Sequence, residues 1–217
     1  MTAVRLSLML ESSKIPKDSS LSRREIRRDK RRTRIRDAAF ELFERQGFEA
    51  TTIDQIAALA DVGKGTFFNY FPTKQNVLTD YYARLSAGFI NNAENIKTGN
   101  AQKRFAKLFH SIETTLRREG QMVDVLYPEV FKQPKLIALD EDIEERVSVL
   151  YAGWLDADKD KKKLRDDFDT ALAVRLIFDI WSATLRNWIE ADKSFSLAEE
   201  LNRKFELLFT GLRAKNF

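Results

Sequence analysis

The chain has 217 residues, of which 43% are hydrophobic, 32% are charged and none is cysteine. This length allows one large domain or two smaller ones with real cores. The lack of cysteine excludes disulfides, thiolate metal sites and cysteine nucleophiles. No stretch approaches the roughly 18 uninterrupted apolar residues of a membrane helix, and the apolar run near the N-terminus is too short for a signal peptide. We therefore predict a cytoplasmic protein without a membrane span.

The excess positive charge lies near the N-terminus. Residues 1–80 contain 15 Lys and Arg against 11 Asp and Glu, whereas residues 81–217 contain 22 of each sign. Eight of the basic residues fall within SRREIRRDKRRTR, residues 22–34. Such a cluster is either a solvated arm or a contact for a polyanion, and charge alone does not separate these two interpretations.

Apolar residues recur at helical spacing nearly throughout the chain, which predicts an all-α fold of about nine helices. Residues 1–21 have the composition of a disordered leader. A first helix follows the basic cluster and ends at Gly47, a residue suited to the position after a helix. A short second helix is predicted to begin with Thr51 as its N-cap and Asp54 as the capping-box partner.

The second half of the chain is predicted to form longer helices. We place them at residues 101–119, 121–136, 140–157, 166–191 and 197–213, with the acidic run DEDIEE in the first turn of the third. The helix at 166–191 is apolar on more than one side, which favours a helical bundle shared between two subunits. The candidate dimer-interface residues are Ile177, Trp181, Leu185, Trp188, Leu201, Phe205, Leu208 and Leu212.

The segment DVGKGTFFNYFPTK, residues 61–74, predicts a short third helix with two different faces. At about 100° per residue, Phe67 and Phe71 share one face, and Gly65 and Asn69 lie opposite them. The first pair suits a core. The second pair leaves a small, polar surface that suits a groove of DNA, where side chains meet base edges and phosphates.

Residues 31–78, and especially TTIDQIAALADVGKGTFFNYFPTKQNVL, resemble the N-terminal DNA-binding domain of the TetR family of transcriptional regulators. The resemblance implies an all-α homodimer with a helix-turn-helix, followed by a larger helical domain that binds a small effector and dimerises. It also implies the DNA contacts. These are Thr52 and Lys74 at phosphates, Gly65, Thr66 and Asn69 near bases, and Phe68 and Tyr70 at the groove edge; Lys64 and the basic residues Arg31 and Arg32 are further candidates.

Three positions depart from the usual pattern of this family. Gly63 replaces a common serine, which removes one possible phosphate donor. Asp61 occupies a turn position where many members have glycine and where the backbone can need a positive φ, which aspartate tolerates better than most residues. Phe68 replaces a frequent tyrosine, so it either makes an apolar contact with a base or only packs against its neighbours.

Aromatic residues in the second half supply candidate walls for an apolar ligand. They are Phe89, Phe105, Phe109, Tyr127, Phe131, Tyr151, Trp154 and Trp181. Each is also what a plain core would contain. No nucleotide loop, metal-ligand cluster or catalytic set is found, so we predict no enzyme activity, no cofactor and no metal.

We therefore predict a leader at 1–21, a basic arm with a helix-turn-helix domain at 22–73, and an effector-binding and dimerisation domain at 74–217. The predicted function is a ligand-responsive repressor that binds a pseudo-palindromic operator as a dimer and is released by an apolar or amphipathic effector. Two alternatives remain: a sequence-independent architectural DNA-binding protein that uses the basic arm, and an all-α carrier of apolar ligands with a vestigial DNA module.

Overall fold

The computed structural model describes residues 22–212, and the predicted leader at 1–21 lies outside this range. The described residues form nine helices and no strand. They are α1 Arg23–Gln46, α2 Ile53–Leu59, α3 Lys64–Tyr70, α4 Lys74–Asn95, α5 Ala101–Glu119, α6 Met122–Val130, α7 Pro134–Asp160, α8 Thr170–Glu190 and α9 Leu197–Leu212. The all-α prediction is confirmed. Within residues 22–212, no helix is long and apolar enough to cross a membrane.

The basic cluster is part of α1, so the prediction of a separate arm before the first helix is wrong. Ser22 caps α1: its hydroxyl accepts a hydrogen bond from the Glu25 amide at 3.2 Å, and its amide donates to the Glu25 carboxylate at 2.7 Å. This reciprocal capping box starts the helix before the arginines. As predicted, α1 ends at Gly47, whose φ is 84°.

Thr52 caps α2, and the predicted pair of Thr51 and Asp54 is wrong. The Thr52 hydroxyl accepts from the Gln55 amide at 3.3 Å, and the Thr52 amide donates to the Gln55 side chain at 2.9 Å. Thr51 is buried, and its hydroxyl donates to the carbonyl oxygen of Gly47 at 2.8 Å. The Thr51 hydroxyl is thus bonded to the residue that follows α1, and Thr52, one residue later, is the N-cap of α2.

The first of two hydrophobic cores, the N-terminal core, joins α1, α2, α3 and the start of α4. Phe67 and Phe71 are both buried there, as the helical wheel predicts. Three residues of this core come from much later in the chain: Leu126 and Val130 on α6, and Leu136 on α7. The N-terminal core is therefore built in part by segments beyond residue 73.

α7 begins at Pro134, inside the predicted helix at 121–136. Proline lacks an amide hydrogen, and the first residue of a helix has no use for one, so proline suits this position. The predicted helix at 121–136 ends instead at Val130. The run DEDIEE lies inside α7, and its assignment to a first helical turn is wrong.

The second core, the C-terminal core, packs α9 against α5 and α8 around a group of aromatic rings. Phe105 lies at its centre, 4.8 Å from Tyr151 and 5.1 Å from both Trp154 and Phe205 between ring centroids. This core contains several residues that we predicted for the dimer interface. Ile177, Trp188, Leu201 and Phe205 are all buried within the single chain, so their assignment to an interface is wrong.

Candidate nucleic-acid interface and ligand cavity

The outer face of α3 presents the residues expected there. Gly65 and Asn69 are exposed, and the position of a Cβ on Gly65 would meet nothing within 4 Å. Phe68 is 44% exposed, and its ring meets Phe67 edge-on at 5.8 Å. The turn before α3 contains Asp61 at a φ of 48°, the left-handed conformation expected for this position.

A concave surface, which we call the basic groove, runs between α3 and the first turns of α1. Five arginines from α1 line it together with Thr66, Asn69 and Tyr70 of α3. The arginines are Arg23, Arg24, Arg27, Arg28 and Arg31. All five are exposed, and their spacing places them along one side of α1. The groove thus combines dense positive charge with the polar face of a short helix.

Arg32 and Lys74, two of the predicted phosphate contacts, direct their charges into the protein. The Arg32 guanidinium bonds the Asp80 carboxylate at 2.6 Å and lies 5.1 Å from the centre of the Phe71 ring. The Lys74 ammonium donates to the carbonyl oxygens of Phe48, Glu49 and Thr51 at 2.7, 3.0 and 3.1 Å. An ammonium has three hydrogens, so these bonds occupy all of its donors.

Lys64 and Thr52 lie at the edges of the helix-turn-helix. Lys64 forms an exposed ion pair with Asp54 at 2.8 Å, which links the first turn of α3 to the first turn of α2. Thr52 is exposed at the N-terminus of α2. An anion can be bound there, because the first amides of a helix have no partner within it.

A cavity of about 200 Å³ lies between helices α4 to α8. Six of the eight aromatic residues that we predicted for a pocket line it: Phe89, Phe109, Tyr127, Phe131, Tyr151 and Trp181. Phe105 and Trp154 do not, because both pack inside the C-terminal core. Leu185, predicted for the dimer interface, lines the cavity as well, and so does Trp181, which appeared in both predictions.

One end of the cavity is polar. Asp140 and Glu144 of α7 lie there with Tyr82 and Ser86 of α4. The Tyr82 hydroxyl donates to the Asp140 carboxylate, and burial together with this carboxylate raises the pKa of Tyr82. Burial and then the negative charges of neighbouring carboxylates raise the pKa of Glu144. No Lys, Arg or His of the described chain lines the cavity.

Residues 35–81 match the family model described as bacterial regulatory proteins, tetR family. These residues therefore carry the DNA-binding domain of that family. The chain is a DNA-binding transcriptional regulator, a class that is generally not enzymatic. The predicted partners, operator DNA, a small-molecule effector and a second copy of the chain, are confirmed at the level of the family.

Three TetR-type relatives match over most of their length. The fatty acid metabolism regulator protein of Bacillus subtilis is 23% identical over 83% of this chain and 95% of its own. The HTH-type transcriptional repressor KstR of Rhodococcus jostii is 26% identical over 82% of each chain. The crystal structure of Thermus thermophilus FadR, a TetR-family repressor in complex with lauroyl-CoA, is 29% identical with a TM-score of 0.62 and covers 86% of this chain and 97% of that one.

Sequence reasoning missed part of this TetR site. The sequence analysis assigns no individual role to four arginines of the basic groove and treats them only as part of a charge cluster. They are Arg23, Arg24, Arg27 and Arg28. Had the cluster been read as helix, their spacing of three and four residues would have placed them on one side. The sequence analysis also missed the carboxylates of Asp140 and Glu144, because it placed the run DEDIEE at the start of a helix and not along the side that lines the cavity.

Proposed function

We propose that this chain is a repressor that binds a pseudo-palindromic operator as a homodimer and dissociates when an apolar or amphipathic effector fills the cavity. The observation that supports this most directly is that the cavity and the N-terminal core share walls. Leu126 and Val130 of α6 line the cavity and also belong to the core that holds the helix-turn-helix. A regulator of this kind performs no chemistry, and we place it in the cytoplasm with the DNA that it binds.

For DNA binding, we assign base contacts to Thr66 and Asn69 and close backbone approach to Gly65. Phe68 and Tyr70 border this face of α3. Thr52 and the basic groove, including Arg31, would meet phosphates, because exposed arginines beside a recognition helix neutralise the backbone on either side of it. Lys64, paired with Asp54, sits at the border of this surface.

Arg32 and Lys74 have a different role in this proposal. All three donors of Lys74 are bound to loop carbonyls, so a phosphate contact would require one of those bonds to break. Arg32 is held by Asp80 through its Nη2 atom. We propose that they position the helix-turn-helix. Arg32 ties α1 to α4, and Lys74 ties the start of α4 to the loop before α2.

α4 provides a second path from the cavity to DNA. It begins beside the helix-turn-helix, and six of its residues, between Tyr82 and Ala93, line the cavity. Asp80, just before this stretch, accepts a hydrogen bond from Arg32 at 2.6 Å. Arg84 forms ion pairs with Asp80 at 3.4 Å and with Asp29 of α1 at 3.3 Å. Any movement of α4 therefore acts on α1 through ion pairs as well as through the core.

The size of the cavity suggests how a ligand would act. Sites for drug-sized molecules usually enclose roughly 300–1,000 Å³, and this cavity holds about 200 Å³. A long amphiphile would therefore push α4 or α6 outward. Such a shift would change the separation of the two recognition helices from the roughly 34–36 Å that successive major grooves require.

The apolar lining favours an effector with a hydrocarbon body. The fatty acid regulator of B. subtilis and the lauroyl-CoA complex of T. thermophilus FadR indicate that related chains respond to molecules of this type.

For the dimer interface, we propose the remaining exposed apolar residues of α8 and α9 in place of the buried set. They are Leu172, Leu176 and Leu207, with the half-buried Leu208 and Leu212 of the original prediction beside them.

The DNA-binding part of this proposal is tested by selecting bound sequences from a random duplex pool. We expect enrichment of a sequence with two-fold symmetry, and an affinity for it at least about a thousandfold above that for unrelated DNA at physiological salt. A ratio near unity would support the architectural alternative. Failure to bind any duplex at low salt would support the carrier alternative.

The ligand-binding part is tested with a pair of matched variants on α7. Val147 lines the cavity, whereas Val149 is 74% exposed. We expect Val147→Phe, which fills the cavity without adding a tryptophan, to abolish quenching of tryptophan fluorescence by decanol, and Val149→Phe to leave it unchanged. Equal loss or equal retention in both variants would show that decanol binds elsewhere.

A further inference from the structure

The polar end of the cavity carries negative charge on several sides. Asp140 and Glu144 are four residues apart on α7, so their side chains lie next to each other on the wall of the cavity. Glu144 is exposed to solvent at the edge of the cavity, and no ion pair of the described chain includes it. The pKa of Glu144 is raised by burial and then by the negative charges of Asp140, Asp179 and Glu141, and no basic side chain contributes to this shift.

This arrangement is unfavourable to an anionic ligand. A carboxylate or phosphate placed beside Asp140 and Glu144 would meet like charge without a basic side chain in the described lining to offset it. An acyl-CoA, which carries several phosphate charges, would be repelled most. A cation at the same place would relieve the mutual repulsion of the carboxylates and form charge-assisted contacts.

We propose that the effector is an amphipathic cation whose charged group binds between Asp140 and Glu144 while its apolar body fills the cavity. This inference rests on the proposed function, since it names the class of molecule that occupies the same site. Aromatic residues strengthen it. Phe178 and Tyr151, whose rings stack at 5.7 Å, line the same cavity and would surround the apolar body of such a cation.

The charged end of the cavity is also connected by hydrogen bonds to the helices that hold the helix-turn-helix. Asp140 accepts the hydrogen bond of Tyr82, and Tyr82 lies on α4 two residues beyond Asp80, which bonds Arg32 of α1. A cation that engages Asp140 competes with the Tyr82 hydroxyl for this carboxylate. Binding therefore weakens a contact between α7 and the part of α4 nearest the helix-turn-helix.

The test compares decyl compounds that differ in charge, with quenching of tryptophan fluorescence as the readout. The probes are decyltrimethylammonium, decanol, decanoate and decanoyl-CoA. We expect the ammonium to bind at least about tenfold more tightly than decanoate. Glu144→Gln should weaken the ammonium about threefold to tenfold and leave decanol unchanged. The control is Glu145→Gln, an exposed neighbour outside the cavity lining, which should change neither.

The outcomes separate this inference from the function on which it rests. If decanoate or decanoyl-CoA binds more tightly than the ammonium, or if Glu144→Gln has no effect on the preference for the ammonium, the inference is wrong. If decanol still binds in the cavity in that case, the proposed ligand site stands. If no decyl compound binds to the protein, both proposals fail.

Discussion

Lys74 lies beside the surface that we propose binds DNA, but its ammonium forms hydrogen bonds within the protein. Its three hydrogen bonds go to carbonyl oxygens at residues 48, 49 and 51, at the far side of the helix-turn-helix. Its ammonium also lies 4.5 Å from the centre of the Phe48 ring. The side chain thus closes the loop between α1 and α2 onto the start of α4.

Lys74→Met keeps most of the aliphatic stem and removes the hydrogen bonds. We expect the free energy of unfolding to fall by about 1–3 kcal/mol, because three carbonyls lose a charged donor. Urea denaturation measures this loss. The salt dependence of operator binding should stay unchanged, whereas Arg31→Ala should reduce its slope by about one. A reduced slope with unchanged stability for Lys74→Met would show that Lys74 contacts phosphate.

At the scale of residues, the sequence predicts what depends on local geometry. The opposite faces of α3 follow from the helical repeat alone, so Phe67 and Gly65 were placed correctly. The direction of Lys74 depends on carbonyls 23 to 26 residues earlier in the chain. No local pattern contains that information.

Helix ends, too, are fixed partly by local sequence and partly by residues that are distant in the chain. Gly47 ends α1 through its own backbone preference, which a sequence displays. The start of α9 agrees with the predicted residue 197, but the side chain that holds it, Glu113 of α5, lies more than eighty residues earlier, where no local pattern connects the two. Its carboxylate accepts hydrogen bonds from the Ala198 amide and the Ser196 hydroxyl, each at 2.9 Å, and from Arg117 at 2.8 Å.

Glu113 gives the stability of α9 a pH dependence. Burial raises the pKa of Glu113, but its bonds with Ala198, Arg117 and Ser196 outweigh burial and hold the pKa below 4.5. Because the pKa is lower in the folded chain than in the unfolded one, this stabilisation is complete above about pH 4.5 and is lost as the pH falls through the folded value. Acid should therefore loosen the contact between α5 and α9.

Glu113→Gln tests this reasoning. Near neutral pH the variant should be about 1–3 kcal/mol less stable than the wild type, because one charged acceptor of a buried network is lost. The difference between the two melting temperatures should shrink from about pH 6 to about pH 3. Glu206→Gln, at an exposed position of α9, is the control and should show no such trend. A difference that stays constant with pH would contradict the account.

For the whole molecule, burial in the single chain decides which apolar residues can meet a partner. The sequence predicted a bundle shared by two subunits from helices that are apolar on several sides. That pattern does not reveal which side the chain itself covers. Trp188 and Leu201 proved to be buried in the C-terminal core, while Leu207 is 77% exposed and Leu176 is 41% exposed.

Leu207→Glu tests the revised dimer surface. Two copies of the new charge would face a desolvated interface, so we expect the dimer dissociation constant to rise at least about tenfold and operator affinity to fall with it. Analytical ultracentrifugation measures the first effect. Val149→Glu on α7 should leave the dimer intact. Loss of the dimer in Val149→Glu alone would place the interface on α7.

The fold class, the buried and exposed faces of α3 and most of the cavity rings could be predicted because each follows from a repeat or a family pattern. The link between cavity and DNA-binding domain could not. It depends on Leu126 and Val130, two apolar residues of a short helix whose double contact appears only in the folded chain.

That link is tested most directly by measuring each partner's affinity in the presence of the other. A decyl ligand found to bind the cavity would be titrated with and without saturating operator, and the operator with and without saturating ligand. Our account predicts that both affinities fall by the same factor, between about 5-fold and 150-fold, since coupling between two sites is reciprocal. Affinities that do not depend on the other partner would contradict it.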